Sequence, residues 1–393
     1  VTKQNYMENR NLFSHRLKDR FTRNYLVIIG LFLSLNLSSQ IFTVNSALDT
    51  SDSNIGDGIC DDGSGNCTLR AAAEEGGDIL FSIPLGDTIN VTNGNIEITE
   101  NGVLVDGGTQ GDVFILMNST SSFIVDASNV DIENLVFSNP NSTAVELRNS
   151  YIFFNSNKVV DSTIGLLDNS NGYDNQISYC TFQNIVNEAI HIDADNGLYN
   201  NNTIENCGTA FYDASFFYYY TISQNSLLCN DVAIDNYNVA PIVTNATFSS
   251  VTGTANFDEK IEVFIESDSG CTNTAACQGF TFLGTTFADI NGDWTLNGLS
   301  LIGGDVITAT SLDEINYFGT SPFSNCYTFV GCSLFSSNIS GQVALFLSET
   351  STYNGNPAQG SSPYTHSWSQ SSGAGSVTIS DNNNGTADIT GAG

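Results

Sequence analysis

Asn139, Asp161, Asn184, Asn206 and Asn230 each sit two places after an apolar residue, namely Phe137, Val159, Phe182, Ile204 and Leu228. The interval of about 22–24 residues lies in the range of repeat periods that marks a solenoid, one coil per repeat. A β-solenoid turns a sharp corner at the same place in every coil. Asn and Asp tolerate the left-handed backbone such a corner needs, and their side chains bond nearby backbone groups. Stacked corners are therefore expected to align into a ladder of side chains along the axis. Coils this uniform leave little length for the loops that build a catalytic cleft.

The chain has 393 residues, enough for two or three domains. Lys3, Arg10, Arg16, Lys18, Arg20 and Arg23 precede an apolar run from Tyr25 to Leu37 and the pair Ser38-Ser39. That order reads as a secretory signal peptide over 1–39, too short in its apolar part for a membrane span. Val1 is not an initiator methionine, and Met7 is a candidate start. Beyond residue 39 the basic side chains are Arg70, Arg148, Lys158 and Lys260, against all but two of the 42 acidic ones. Such a surface repels nucleic acid and anionic membrane, and it suits cations, calcium above all, or neutral glycans. It is equally what solubility in a salty exterior requires.

Nine cysteines in a secreted chain read first as disulfides. Cys60 with Cys67, and Cys271 with Cys277, are close enough to close small local loops. Cys180 and Cys207 fall at different phases of the repeat and are expected as buried thiols. The odd total leaves a thiol without a partner in this chain, with Cys332 the candidate.

Cys67-Thr68-Leu69-Arg70-Ala71-Ala72 resembles the Cys-Ser-Leu-Arg-Glu-Ala module of bacterial secreted and surface proteins, with Thr for Ser and Ala for Glu. Thr43-Val44 and Asp57-Gly58-Ile59-Cys60-Asp61-Asp62 fit the same module. Thr68 is placed to cap a short Ala-rich helix, which would plug the open solenoid end and hide its unpaired edge. The resemblance implies a right-handed parallel β-helix next, and the repeats from about Gly77 to Asn238 resemble the pectate-lyase-like superfamily. That superfamily contains polysaccharide lyases, glycoside hydrolases and non-catalytic adhesins. Alternation places Val145, Leu147, Ile190 and Ile192 inside, with Glu146, His191 and Asp193 outside.

Pro241 marks a boundary. Beyond it Ile261–Glu266 alternates, and Asn291-Gly292 between Phe287–Ile290 and Asp293–Leu296 is a hairpin signal. Short strands with frequent turns predict an antiparallel sandwich, and pieces such as Cys277-Gln278-Gly279 and Gly292-Asp293-Trp294 resemble immunoglobulin-like domains of bacterial surface proteins. Ser362–Trp368 with Ser376–Asp381 resembles the early strands of PKD-like repeats, stopping short of the last strands, so a fragment is expected. The organisation predicted is all-β: signal peptide 1–39, N-terminal cap and first coils 40–98, parallel β-helix 99–239, Ig-like sandwich 240–329 and a partial PKD-like domain 330–393.

Several constellations are candidates for chemistry. His191, Asp193 and the nearby Asp195 and Glu188 combine imidazole with carboxylates, which suits acid–base work or a metal, while Asp195-Asn196-Gly197 reads as a plain turn. Outward acids such as Glu146, Asp193, Asp213 and Asp235, where they fall on adjacent coils, are candidates for the two carboxylates of glycoside hydrolysis. A lyase also needs positive charge at the uronate carboxyl, and Arg148 and Lys158 fall in different coils. Asp57, Asp61 and Asp62, with Asp49 and Asp52, form an acid-dense loop suited to calcium or simply solvated. Phe216, Tyr218 and Tyr220 are candidates to face out and stack on sugars, or else to fill the solenoid end where it meets the sandwich. No phosphate loop, nucleophile elbow or zinc-ligand pair is found. The preferred reading is a secreted or cell-surface, adhesin-like protein contacting glycans or other surfaces, without nucleic acid, a membrane span in the mature chain, or a required cofactor. The alternative is a polysaccharide lyase or glycoside hydrolase. Enzyme status and oligomeric state stay open.

Overall fold

The computed structural model describes residues 40–84, 86–108, 112–118, 120–169, 174–214, 219–267, 271, 277–313, 319–330, 336–340, 350–358, 368–370, 376–382 and 386–392. The expected signal peptide lies outside them. Among the described residues no helix is long and apolar enough to cross a membrane.

Three parallel sheets of eight, seven and seven strands form the solenoid. Successive coils place one strand in each, as in Asp131–Glu133, Leu135–Ser138 and Thr143–Leu147. Strands of three to five residues bury nothing alone, so each coil is stable only against its neighbours. The inward columns are continuous. Phe42, Ile79, Val105, Ile132, Phe154, Ile177, Tyr199 and Ile222 stack through the first sheet. Ile89, Ile115, Phe137, Val159, Phe182, Ile204 and Leu227 stack through the second. All are buried. In the third sheet the alternation read from the sequence holds, with Val145, Leu147, Ile190 and Ile192 buried and Glu146 and His191 turned out.

The corner ladder differs from expectation in two of its five members. Asp161, Asn184 and Asn206 adopt φ of 48°, 57° and 55°, and Asn184 Nδ2 donates to Asp161 Oδ1 at 3.0 Å. Asn139 and Asn230 instead point inward and are fully buried. Leu227, not Leu228, pairs with Ile204, so the left-handed corner of that coil falls on Cys229 (φ 56°). A one-residue slip in register exchanges the two faces of a strand.

A second, interior ladder runs along the corner between the first and second sheets. Left-handed Asn134, Ser156, Tyr179, Asn201 and Gln224 each precede one of Leu135, Asn157, Cys180, Asn202 and Asn225. Asn157 Oδ1 accepts Leu135 N–H, Asn202 Oδ1 accepts Cys180 N–H, and Asn225 Oδ1 accepts Asn202 N–H, at 2.8–3.0 Å. Each Nδ2 donates to a carbonyl of the coil below, Ile132, Ile177 and Tyr199 respectively. Buried backbone groups at the corner are thereby satisfied without water. Cys180 occupies the one middle position without an amide, its thiol 3.3 Å from the Phe154 carbonyl.

The first coil is closed by a helix, Leu69–Glu75, with Thr68 as N-cap accepting the Ala71 N–H. Leu69, Ala72 and Ala73 join the solenoid core, as the plug reading requires. Arg70 is buried with them. Its guanidinium bonds Asp49 at 2.7 Å and the carbonyls of Asn95 and Gly94. Burial alone would raise the Asp49 pKa, but the bonds from Arg70 and from the Thr92 and Asn93 N–H groups hold it below the usual value.

Beyond the solenoid, a three-stranded and a four-stranded antiparallel sheet share a core that includes Val251, Trp294, Ile261, Val263 and Ile307. The turn at Asn291-Gly292 forms, with Gly292 at φ 85° and Asp289 Oδ1 accepting the Asn291 and Asp293 N–H groups. Its flanking strands are not a hairpin: Thr281–Phe287 pairs with Lys260–Ile265, while Asp293–Asn297 pairs with Ser250–Thr254 in the other sheet. The turn is an arch between the two sheets. A further four-stranded antiparallel sheet is built from residues 336–392.

Cys60 bonds Cys67 as expected. The expected Cys271–Cys277 pair is replaced by Cys229–Cys271 and Cys277–Cys326, because tertiary packing brings the loop after Glu266 against the last coil and the strand end at Cys326. Cys180 and Cys207 are buried thiols. Burial pushes both up to about 12, so neither forms a thiolate readily. Cys332 lies outside the described residues.

Candidate functional site

The candidate residues gather at three places: the outward face of the third sheet, the acidic N-terminal loop, and the joint between solenoid and sandwich.

On the third sheet, register places Glu146, Leu167, His191, Tyr212 and Asp235 in one outward column. Adjacent strands lie about 4.8 Å apart, so Glu146 and Asp235, four strands apart, are separated by about 19 Å. That is far beyond the roughly 5–9.5 Å between the carboxylates of a glycosidase. The His191 ring packs on Tyr212 at 4.9 Å, and its Nδ1 is buried with no hydrogen-bond partner. Burial lowers the His191 pKa, outweighing the attraction of Glu188 and Asp193. Asp213 accepts the Tyr220 hydroxyl at 3.0 Å. Arg148 grips Glu146 through Nε and Nη2, and Lys158, on the second sheet, pairs with Asp112 at 2.7 Å. The two cations of the coils therefore sit on different sheets, each held by a carboxylate. On the first sheet Asp131 and Glu133 share an outward edge, and the Asp131 pKa is raised by desolvation.

In the N-terminal loop, the carboxylates organise backbone. Asp61 Oδ1 accepts the Gly63 and Gly65 N–H groups, and Asp62 Oδ1 accepts those of Ser64 and Asn66. The Asn66 side-chain amide donates to Asp62 Oδ2 at 3.1 Å, and this bond, followed by the one from the Ser64 N–H, lowers the Asp62 pKa. The carboxylates that converge are Asp52, Asp57 and Glu75, rather than Asp57, Asp61 and Asp62. Glu75 accepts Gly56 and Gly58 N–H, Asp52 accepts Asn54 and Asp61 N–H, and Asp57 accepts Ile59 N–H. An oxygen-ligand cation would compete with these bonds. The set is geometrically able to hold calcium and is already satisfied as a loop framework.

At the joint, Tyr220 takes the second of its two expected placements, packed into the solenoid end and not facing out: it is 1% exposed and packed on Gly319, where a Cβ would sit 2.4 Å from the ring. Phe216 and Tyr218 lie outside the described residues. The last coil is clamped by the sandwich. Gln278 Oε1 accepts both the backbone and side-chain N–H of Asn230, and Gln278 Nε2 donates to the Asn230 carbonyl. Glu262 accepts Ser223 Oγ and Gln224 N–H while pairing with Lys260 at 3.1 Å. Thr320 Oγ1 accepts Ile222 N–H at 2.8 Å, and Phe323 packs onto the solenoid core. Beside this clamp opens a cleft of about 560 Å³ whose lining includes Tyr237, Asn238, Phe257, Glu259, Ser311 and Asp313.

The sequence signalled neither clamp nor cleft. Gln278 lies in a piece read only as Ig-like and Glu262 in an alternating strand, neither of which points to the solenoid, and the cleft takes its walls from segments about 20 and 75 residues apart. A signal for the interior ladder did exist in the recurrence of Asn157, Asn202 and Asn225 at the coil period.

No family model and no curated protein matches the chain. Among solved structures it is similar to a double mutant of the tailspike protein of E. coli bacteriophage HK620 in complex with a pentasaccharide, with 8% identity and a TM-score of 0.19 over 60% of this chain and 73% of that one. It is similar to a second double mutant of that tailspike at 9% identity and the same TM-score and coverage. At that TM-score the likeness assigns neither ligand nor activity to this chain.

Proposed function

We propose that the chain is an extracellular, adhesin-like protein that holds a rigid acidic rod against glycans or other surfaces without turning them over. The observation that carries this reading is the joint. The Cys229–Cys271 disulfide and the Gln278–Asn230 clamp fuse solenoid and sandwich, which is what a spacer needs in order to transmit load. Disulfides accord with an oxidising, extracellular setting. Uronate chemistry is disfavoured by the separate ion pairs of Arg148 and Lys158. The enzyme alternative draws on Asp131 and Glu133, two carboxylates on the outward face of one strand of the first sheet.

The test is to incubate the full chain with neutral and acidic polysaccharides, with and without calcium, and to measure both new reducing ends and retention on immobilised polysaccharide. Retention without new reducing ends is expected. New reducing ends that disappear in Asp131→Asn would overturn the non-catalytic reading, and absence of retention on every polysaccharide would remove glycans as the partner.

A further inference from the structure

Two columns of left-handed residues run along the rims of the first sheet. On one side Asn129, Tyr151, Asp174 and Asn196 stand two places before the paired strand positions Asp131, Phe153, Gln176 and Leu198. On the other, Asn134, Ser156, Tyr179, Asn201 and Gln224 follow the strands. Short polar side chains suit these corners, because hydrogen bonds to nearby backbone offset the crowding of Cβ at positive φ. Tyr151 (φ 59°) and Tyr179 (φ 55°) break the pattern. A bulky ring gains no such bond, so each is a strained choice for its place. Neither fills the core: 46% and 63% of their surface is exposed.

Between the rims lies a third ring. Register aligns Asp131, Phe153 and Gln176 in one outward column of the sheet and Glu133, Asn155 and Ser178 in the next. Phe153 is 41% exposed, in the coil of Tyr151 and one strand from the coil of Tyr179, with Asp131 beside it at a strand spacing of about 4.8 Å. The backbone is fixed by the sheet and, at the far rim, by the Tyr179 N–H donating to the Asn200 carbonyl at 3.3 Å. Among the described residues no hydrogen bond or ion pair engages the side chains of Tyr151, Tyr179, Asp131 or Glu133, and Phe153 has no ring partner. Asn155 Oδ1, between Glu133 and Ser178, is shielded from water and also lacks a hydrogen-bond partner. The face thus holds three open rings and two uncommitted carboxylates on a rigid frame. The rings span two strands, about 17 Å by 10 Å, far below the roughly 800 Å² each partner contributes to a stable protein interface. A second copy of this acidic chain, at −32, would meet its own charge there. A ligand that matches is small, presents apolar C–H faces to the rings and hydroxyl donors to the carboxylates, and carries no negative charge.

We infer that this face of the first sheet binds a neutral oligosaccharide, with Tyr151, Phe153 and Tyr179 stacking on sugar rings and Asp131 and Glu133 accepting hydroxyls. The inference rests on the proposal that the chain contacts glycans, and places that contact on the coils of Asp131, Phe153 and Gln176. It also accounts for the two tyrosines at corners where asparagine is the easier fit, since a stabler corner without a ring would forfeit the contact.

The experiment is calorimetric titration of the full chain, as wild type and as Tyr151→Asn, Tyr179→Asn and Phe287→Ala, with urea unfolding of each. The probes are a set of neutral gluco-, manno- and galacto-oligosaccharides, polygalacturonate, and a lysine-rich peptide. Phe287 is the control, 56% exposed on a sandwich strand. Binding of at least one neutral oligosaccharide is expected, weakened about tenfold by each tyrosine variant and unchanged in Phe287→Ala. The urea midpoints of the two asparagine variants should equal or exceed that of wild type, because asparagine relieves the corner. Weakened binding together with a lowered midpoint would make the tyrosines structural and overturn the assignment. Oligosaccharide binding untouched by both tyrosine variants would overturn the site and leave the glycan reading standing. No binding of any neutral oligosaccharide or of polygalacturonate would sink both. Binding of polygalacturonate alone would overturn the neutral specificity, and binding of the basic peptide alone would overturn the sugar.

Discussion

Truncating Asn202 to alanine tests whether the interior ladder, and not the visible corner ladder, holds the coils together. Asn202 is 1% exposed; its Oδ1 takes the Cys180 N–H and its Nδ2 donates to the Ile177 carbonyl, both at 2.9 Å. The variant strands one buried donor and one buried acceptor. Each of the two orphaned groups costs about 1–3 kcal/mol, so the loss is about 2–6 kcal/mol. Asn184→Ala is the control. It loses one exposed bond to Asp161 and leaves a Cβ-bearing residue at φ 57°, together about 1–2 kcal/mol. Urea unfolding of the full chain followed by far-ultraviolet circular dichroism separates them. With a slope of about 3 kcal/mol/M, Asn202→Ala moves the midpoint down by about 1 M and Asn184→Ala by half of that or less. Equal midpoints for the two variants would refute the claim that the buried amides carry the corner. Since coils contact only their neighbours, a second transition appearing in Asn202→Ala would mark local loss of the middle coils and supports the same reasoning.

Three other expectations follow from the same geometry. Cys180→Asn restores an amide where the ladder has a thiol facing the Phe154 carbonyl; stability should rise by about 1–2 kcal/mol in the same urea assay, and a fall would show that the site is shaped for sulfur. Replacing Cys229 and Cys271 together by serine opens a link spanning 42 residues, worth about 4 kcal/mol in the chain-entropy account; limited proteolysis should then cut within 266–278 first, and unchanged resistance would show that the Gln278 clamp suffices without the bond. His191 binds a proton less readily when folded than when unfolded, because burial lowers its pKa. Its contribution is therefore intact above about pH 6.5 and declines as pH falls from there until the folded-state value is passed. Wild type should lose stability between pH 7 and 5 more steeply than His191→Asn, with parallel curves as the refuting result.

What could be read from the chain alone was local. The coil period predicts a solenoid because every coil repeats the same short strands and must turn at the same place, and Thr68 with the Ala-rich stretch predicts a capped plug because both signals lie within one turn of helix. Inward and outward residues such as Ile190 and His191 were legible for the same reason, since side-chain direction alternates along a strand. Cys60 and Cys67 found each other because they are near in sequence.

Tertiary structure decided whatever depends on distance in the chain or on a single-residue shift. Asn139 and Asn230 look identical to Asn184 in sequence, yet both are fully buried, Asn230 because its coil pairs Leu227 and not Leu228 with Ile204. Asp168 stands between Leu147 and Ile192 in an inward column and is tolerated at 0% exposure because Tyr199 Oη and Asn175 Nδ2 reach it at 2.7 and 2.9 Å, partners 31 and 7 residues away. Asn291-Gly292 supplies a turn, but the packing of two sheets makes it an arch. Cys271 is six residues from Cys277 and bonds Cys229 across 42 because the sandwich docks on the last coil. The cleft lined by Tyr237 and Phe257 takes its walls from segments distant in the chain, so no window of sequence contains it: the period determines the solenoid, and its contact with the sandwich determines where a concave surface forms.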